Sequence, residues 1–416
     1  MVYRLILLFY GRNKKIILTN RHKIGTKSAY YIVDMKTVFL IASVILVLLI
    51  SKYVWVNYKC RTIGSFETEY EDILQRRNYL IEKIIVSPDK LLKEMPAAVG
   101  PQFQGEWALY SCSMLSAALT NMALTFPETR EEALSHIDSL IRIVMSEEIR
   151  QYDTDRWGED PLESLDGDNS HISYLSHLAW MISGYRQLGG DSKYNCLYDK
   201  LCETMNRRIT ASPTLNLQTY PGECIYIPDM LVAIVALENY ARQNGGKYHK
   251  TVQAWLDYMQ EYWIDESSGL LASMIPVHEY SVSRYPVKGS YSALNCYYLT
   301  FIDDDFAYGQ YLKLKENFLQ KNPFTGFKEK IYGSNWLGYD IDAGPILFNL
   351  SPTGTAFGIG PATYFKDSSI RTGLLRTAEI AGFTVSSGNK SHYLLADIAL
   401  VGEAITLAMR TNVKWQ

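Results

Sequence analysis

Residues 156–194 read RWGEDPLESLDGDNSHISYLSHLAWMISGYRQLGGDSKY. Glu159, Asp160, Glu163, Asp166 and Asp168 fall in a loop-like first part. The second part, with His171 and His177, reads as an apolar helix that stops at Gly189-Gly190. A second, more amphipathic helix is expected over 194–208, because glycine supplies a left-handed helix cap and Asp191 can restart the next N-terminus. The order is acidic loop, nearly uncharged helix, tight turn, charged helix, and it sets the pattern for the rest of the chain.

The layout recurs. Residues 107–124 turn at 126–128 into 129–145, 229–243 turn at Asn244-Gly245-Gly246 into 248–262, 291–301 turn at Asp303-Asp304-Asp305 into 306–319, and 353–365 turn at Lys366-Asp367-Ser368 into 370–381. A last helix over 393–410 has no following partner, and a helix over 66–93 is placed to close a ring with it. In each pair the first helix is rich in Ala, Ser, Gly and Leu, and the second carries the charge. A helix apolar all round belongs inside and an amphipathic one outside. Five or six such hairpins, at a pitch of about 55 to 60 residues, predict an all-α protein, an (α/α)6 toroid over 97–416.

The N-terminus is different. Residues 37–50, TVFLIASVILVLLI, are uncharged, and through Val56 the apolar stretch reaches about twenty residues, enough to span a bilayer. Arg12, Lys14, Lys15, Arg21, His22, Lys23, Lys27 and Lys36 precede it. The expectation is a basic cytoplasmic segment over 1–36, a single-pass anchor in the cell (inner) membrane over 37–56, a linker helix over 57–96, and an extracytoplasmic main domain. The alternative is a signal peptide beginning at Met35. A net charge of −3, with no basic block in the main domain, gives a nucleic-acid partner no electrostatic support. The six cysteines show no CxxC spacing and no HExxH is present, so neither a metal nor a cofactor is expected. Gly358-Ile359-Gly360 lacks the strand before it that a nucleotide loop requires.

The long connectors, 98–106, 157–171, 219–229, 282–290 and 331–355, each lead into an inner helix and so share one end of the toroid. They are rich in Tyr, Trp, Gly and carboxylates, as a binding funnel would be. His177, Glu223, Asp160 and Asp168 are the candidate catalytic residues. Helix capping accounts for one carboxylate ahead of 172 but not four, and Glu223, between Tyr220 and Tyr226, has no capping role. Trp157, Tyr220, Tyr226, Asp229, Tyr291 and Asp342 are the candidate substrate-binding residues, although Asp229 after Pro228 would also make an ordinary helix start.

The stretches HLAWMISGYRQLGGDSKY (177–194), GGKYHKTVQAWLDYMQEYWID (245–265) and FIDDDFAYGQYLKLKENF (301–318) resemble the linalool dehydratase/isomerase domain, an (α/α)6 barrel, and the similarity runs from about residue 110 to 381. The resemblance implies cofactor-free acid/base handling of an alcohol by an inner-helix His, two cysteines, a Tyr and an Asp. His177 falls on the family's His. The two cysteine positions fall near Tyr220 and at Asp229, with Cys224 between them, and GPQFQGEW (100–107) offers no evident counterpart of the family's Asp and Tyr. The function expected is therefore a hydro-lyase or isomerase. Glycoside cleavage by paired carboxylates is the alternative, and a non-catalytic glycan- or lipid-binding envelope protein is a third reading. The partners would be a small-molecule or glycan substrate and, through the N-terminal helix, the membrane.

Overall fold

The computed structural model describes residues 4–8, 15–19, 31–60, 69–96, 100–277, 285–333 and 336–415. The chain divides into two units, Met1–Arg61 and Thr62–Gln416. In the first, β1 (Arg4–Leu8), β2 (Lys15–Thr19) and β3 (Tyr31–Asp34) form an antiparallel sheet in that order, a feature the basic composition did not announce. Helix α1 (Met35–Lys59) follows, and its segment Lys36–Tyr58 is long and apolar enough to cross a membrane. Phe39, Leu46, Val47 and Leu49 along it are exposed.

The second unit is mostly helical. Its helices are α2 (Tyr70–Ile84), α3 (Pro88–Glu94), α4 (Pro101–Thr125), α5 (Arg130–Val144), α6 (Glu147–Trp157), α7 (Ile172–Gln187), α8 (Asn195–Ala211), α9 (Ile227–Gln243), α10 (His249–Tyr262), α11 (Gly289–Leu299), α12 (Asp304–Phe318), α13 (Pro352–Tyr364), α14 (Ser368–Gly382) and α15 (Leu400–Arg410). Among the described residues, short antiparallel strand pairs punctuate them: β4 (Ile225–Tyr226) with β5 (Met274–Ile275) across α9 and α10, and three hairpins, β6 (Leu319–Gln320) with β7 (Gly326–Phe327), β8 (Leu337–Asp340) with β9 (Gly344–Leu347), and β10 (Thr384–Ser387) with β11 (Lys390–Tyr393).

The two kinds of helix separate as the charge pattern requires. Helix α7 buries every residue from Ile172 to Tyr185 and α9 every residue from Ile227 to Ala241, whereas α10 buries only the stripe Val252, Trp255, Leu256 and Met259. The β-branched run Val232, Ile234, Val235 in α9 is a weak helix former, but the deficit is under ~0.7 kcal/mol per residue, against ~1.5–3 kcal/mol for full burial of each side chain. Helix α4 packs on α7, α7 on α9, α9 on α11, α11 on α13, α13 on α15, and α15 returns to α4. Helices α5, α8, α10, α12 and α14 each pack on the buried helix before them, and α2 packs on α15. Glycine permits the close approaches: a Cβ on Gly184 would lie 2.6 Å from Thr120 Oγ1, between α7 and α4.

Three of the expected turns are capped as anticipated, whereas the N-termini of α5 and α10 carry no side-chain cap. Gly189 has φ +77°, and the Asp191, Asp303 and Asp367 side chains accept from Lys193, Phe306 and Ile370 N–H groups. Four boundaries differ. The single helix over 66–93, of which 66–68 lie outside the described residues, is two helices, because Pro88 cannot donate within a helix and opens α3 instead. Pro101 does the same for α4, so most of the connector 98–106 is helix; 97–99 are not described. Helix α6 was not foreseen. Only Ile149, Tyr152 and Asp153 of its charged sequence are buried, so its hydrophobic period is faint, although Ser146 caps it and left-handed Gly158 ends it. The last helix begins at Leu400, since β10, β11 and a 3-10 turn over Leu394–Asp397 occupy the residues before it. Of the connector 282–290, residues 282–284 lie outside the described set. Cys112, Cys202 and Cys296 are buried free thiols.

Candidate functional site

The second and third turns of α4, the first turns of α7, α9 and α11, the end of α6 and the loop ahead of β4 supply one cluster of acids and phenols. Asp229, in the first turn of α9, is buried. Its Oδ1 accepts from the Tyr110 hydroxyl of α4 at 2.9 Å and its Oδ2 from Thr219 Oγ1 at 3.1 Å. Its carboxyl is raised to about 6: burial is the largest push, those two donors oppose it, and the Asp342 and Glu223 charges add to it. Glu106 lies one helical turn before Tyr110 on the same face of α4. Its carboxyl is pushed up to about 8, first by burial and then by the Asp229 charge, with Arg156 and a hydrogen bond with Tyr220 opposing. Glu106, Tyr110 and Tyr291 each keep some solvent-accessible surface, so the cluster reaches solvent.

The walls are made of paired groups. Arg156, from the last turn of α6, donates to Glu223 Oε1 at 2.5 Å and stacks its guanidinium 4.2 Å above the Tyr220 ring. The Tyr226 hydroxyl donates to the other oxygen of Glu223 at 3.3 Å. Tyr220 Oη and Ser173 Oγ hydrogen-bond at 3.2 Å, and Tyr152 reaches the same serine at 3.4 Å. On the far side Lys288 binds Asp340 at 2.9 Å and Asp342 at 2.5 Å, on the β8–β9 hairpin, with its ammonium 5.3 Å from the Tyr291 ring centre. The Tyr291 and Tyr226 rings meet edge to face at 6.1 Å.

His177 is fully buried on α7. Its Nδ1 and Ser113 Oγ of α4 are 2.8 Å apart, its ring lies 4.3 Å from that of Tyr110, and its Nε2 has no hydrogen-bond partner. Burial lowers it to about 3, so the imidazole is neutral at ordinary pH. The Tyr298 hydroxyl is likewise buried without a partner. Beyond both lies an aromatic plug: Trp180 is 6.3 Å from His177, 5.6 Å from Tyr298, 5.7 Å from Phe301 and 6.1 Å from Trp415.

Of the residues singled out from the sequence, Tyr220, Glu223, Tyr226, Asp229, Tyr291 and Asp342 are brought together here, with His177 behind Tyr110. Three are placed elsewhere. Asp160 pairs with Arg150 at 2.5 Å and accepts from the Leu162 N–H at 2.8 Å, so it shapes the loop; burial raises its carboxyl, but these partners hold it below the usual range. Asp168 is fully exposed and meets Arg207 at 3.1 Å. Trp157 packs 5.2 Å from His171, which is itself locked to buried Asp153 at 2.5 Å. Sequence reasoning missed Glu106, Tyr110, Arg156 and Lys288. A signal for the first two was present, since Pro101 after Gly100 marks a helix start and puts residues 106 and 110 on one face.

Among the described residues no group of three or more His, Cys, Asp or Glu side chains is disposed to hold a metal ion. A hollow beside α2 and α3, lined by Glu82, Lys83, Val86, Lys90, Lys93 and Glu94, shares no residue with the cluster. No protein-family model matches the chain.

Proposed function

We propose that the chain is a membrane-anchored (α/α)6 toroid that uses its own side chains as acid and base to break a C–O bond, with Glu106 as proton donor and Asp229 as proton acceptor. The observation that carries this reading is the coupled pair of carboxyls on two inner helices, one held protonated to about pH 8 and the other ionised above about pH 6. Between those values a general acid and a general base coexist in one cluster. The contacts running from α4 through α7, α9, α11, α13 and α15 back to α4, each buried helix carrying an outer one, support the toroid. Helix α1 and the basic residues before it support an extracytoplasmic main domain.

The resemblance to linalool dehydratase/isomerase domains supports the same chemistry with altered residues. Tyr220 and Asp229, at or near the positions of the family's two cysteines, both interact with Glu106, while Glu106 and Tyr110 offer the carboxyl and phenol that a loop reading of 100–107 left without counterparts. In a dehydration, Glu106 gives its proton to the departing hydroxyl oxygen as the C–O bond breaks. Ionised Asp229 takes a proton from the neighbouring carbon, and an alkene and water leave. His177, neutral and bound to Ser113, would orient Tyr110 rather than carry charge.

A second reading shares the first half of that step. If Asp229 activates water instead of taking a carbon-bound proton, the same pair cleaves a glycoside, and the polar walls favour this variant. Incubating the detergent-solubilised full chain with panels of alcohols and of aryl glycosides separates the two. Alkene products by gas chromatography support the lyase, a released sugar supports the hydrolase, and turnover of either kind that survives Glu106→Gln undiminished would overturn both.

A further inference from the structure

A hairpin packed on a protein surface ordinarily turns its apolar side chains inward and its polar ones to solvent, because successive residues of a strand point to opposite faces. The β8–β9 hairpin is inverted. Asp340 and Asp342 hold Lys288 on its inner face, where Ile346 is buried. Its other face carries Leu337, Tyr339, Ile341 and Leu347, each between 50 and 76 % exposed. Leu337 pairs with Leu347 and Tyr339 with Pro345 across the two strands, so these side chains form one uncharged face. Tyr332 and Trp336, just ahead of β8, are exposed as well. Single apolar residues on a surface need no explanation, but a contiguous apolar face marks a contact.

A second apolar prominence stands at the same end of the main unit. Leu394, Leu395 and Ile398, in and just after the 3-10 turn that precedes α15, are each more than half exposed. Asn412, past the end of α15, donates to Thr300 at the end of α11 and to the Gly360 carbonyl near the end of α13. These three helices therefore finish together and begin together, which places the hairpin ahead of α13 and the turn ahead of α15 side by side. The second half of α2 also lies against that turn, since Tyr79 Oη donates to Asp397 at 3.4 Å and Lys390 pairs with Glu82.

The N-terminal helix says what such an end would meet. Residues 61–68 join Cys60 to Glu69, and eight residues reach at most ~28 Å. Helix α2, from Tyr70 to Ile84, is only ~22 Å long, so the tether allows its far end to touch a bilayer that α1 spans. A bilayer interface accepts aliphatic side chains together with Tyr and Trp at headgroup level, and it requires no pocket. We infer that this end of the main unit docks on a lipid surface, with the outer face of the β8–β9 hairpin and the Leu394, Leu395 and Ile398 prominence entering the headgroup boundary. Docking would hold Lys288 and Tyr291, at the start of α11, beside the membrane. It rests on the reading of α1 as an anchor and not on the acid/base chemistry.

Fluorescence quenching on the full chain, reconstituted in phosphatidylcholine vesicles whose acyl chains carry a nitroxide, tests it. A fluorophore is attached at Ile341→Cys, at Ile398→Cys or, as a control, at Lys250→Cys, with Cys196→Ser and Cys224→Ser removing the accessible native thiols. Lys250 is exposed just past the α9–α10 turn, and Arg242 ahead of that turn donates to the Ile302 carbonyl beyond α11, so the control reports the opposite end. The expected result is quenching at 341 and 398 about twofold or more stronger than at 250, as for groups seated ~5–10 Å into the headgroup boundary. Leu337→Glu with Tyr339→Glu should abolish the difference at 341 while the unfolding midpoint stays parental, and a difference that survives both would overturn the docking. Equal quenching at the three positions, in chain that resists alkaline carbonate extraction, would overturn it too and leave the anchor standing. Shielding at 341 that appears only as protein density in the vesicle rises would assign the face to a second copy of this chain instead. Chain that carbonate releases, with 341 and 398 still quenched when vesicles are added, removes the anchor and leaves the docking.

Discussion

The Tyr110 hydroxyl donates to Asp229 Oδ1 at 2.9 Å, joining the third turn of α4 to the first turn of α9. This bond favours the ionised carboxylate against the push of burial. Tyr110→Phe removes it, so the Asp229 carboxyl rises above about 6. A charge-assisted hydrogen bond is worth ~1.5–3 kcal/mol, which is about one to two pH units. The acidic limb of the kcat/KM profile should move up by that amount while the alkaline limb stays. An acidic limb that does not move would show that Asp229 is not the base.

Glu106→Gln should lower kcat by ~10²–10⁴-fold if Glu106 is the proton donor. It should also change stability in a defined pH window. The carboxyl is raised from 4.5 to about 8 by folding, so its stabilising share is complete below pH 4.5 and is lost as pH rises through 8. Glutamine cannot ionise. The variant's melting temperature should therefore fall less than the parent's as pH rises through that window, as thermal scans from pH 4 to 9 would record.

His177 titrates with the opposite sense. Burial lowers it from 6.5 to about 3, so the folded state excludes the imidazolium. Stability is present above pH 6.5 and is lost as pH falls through 3. His177→Gln keeps a polar group near Ser113 without a group that must charge. Its denaturant midpoint should vary less than the parent's between pH 6.5 and 4, and equal slopes would mean that the ring is solvated.

How far the sequence could be read depends on the kind of signal each residue leaves. Charge contrast within hairpins, such as 229–243 against 248–262, survives in the chain because burial acts on whole helix faces, so the pairs and their turns were legible. Loop carboxylates leave a weaker signal, since composition cannot distinguish an acid that joins a cluster from one that braces a turn. Glu223 and Asp342 were recognisable by their Tyr and Gly neighbours, whereas Asp160 and Asp168, in an equally acidic run, pair with Arg150 and Arg207. Glu106 was hidden because Gly100-Pro101 made the whole stretch 98–106 read as a connector, and Arg156 because the faint period of α6 concealed a helix end. Pairings such as Lys288 with the β8–β9 hairpin depend on chain crossings 52 and 54 residues apart, which local spacing does not encode.

The same distinction yields a control. Asp168 is fully exposed, so Asp168→Asn should leave the denaturation midpoint and turnover at the parental level. Asp160→Asn removes the partner of Arg150 and weakens the cap on Leu162. It should lower the denaturation midpoint without shifting either limb of the pH–rate profile. A shifted limb would place Asp160 in the chemistry after all.

The seam between the first and last helices of the main unit offers the sharpest stability test. Arg76 of α2, itself buried, donates from Nη1 to Glu403 Oε1 of α15 at 2.7 Å and from Nη2 to Thr384 Oγ1 at 2.8 Å, and its guanidinium lies 4.1 Å from the Tyr393 ring centre. About two turns earlier, at the N-cap of α2, Glu69 pairs with Arg371 of α14 and with Arg410 of α15. Helix α2 therefore joins α15 mainly through buried charge, and a buried charge stripped of its partner is costly. Arg76→Ala leaves the Glu403 carboxylate enclosed without its cation, with only the Tyr393 N–H still bonded to it, and should cost ~3–5 kcal/mol. Replacing both partners, as in Arg76→Met with Glu403→Gln, removes the stranded charge and should recover much of that loss, since the desolvation of two ions is no longer required. Urea denaturation of the parent, both single variants and the double measures the coupling directly. Additive losses would mean that packing of Ile73, Leu80 and Ile84 holds the seam, and that the ion pairs only set its register.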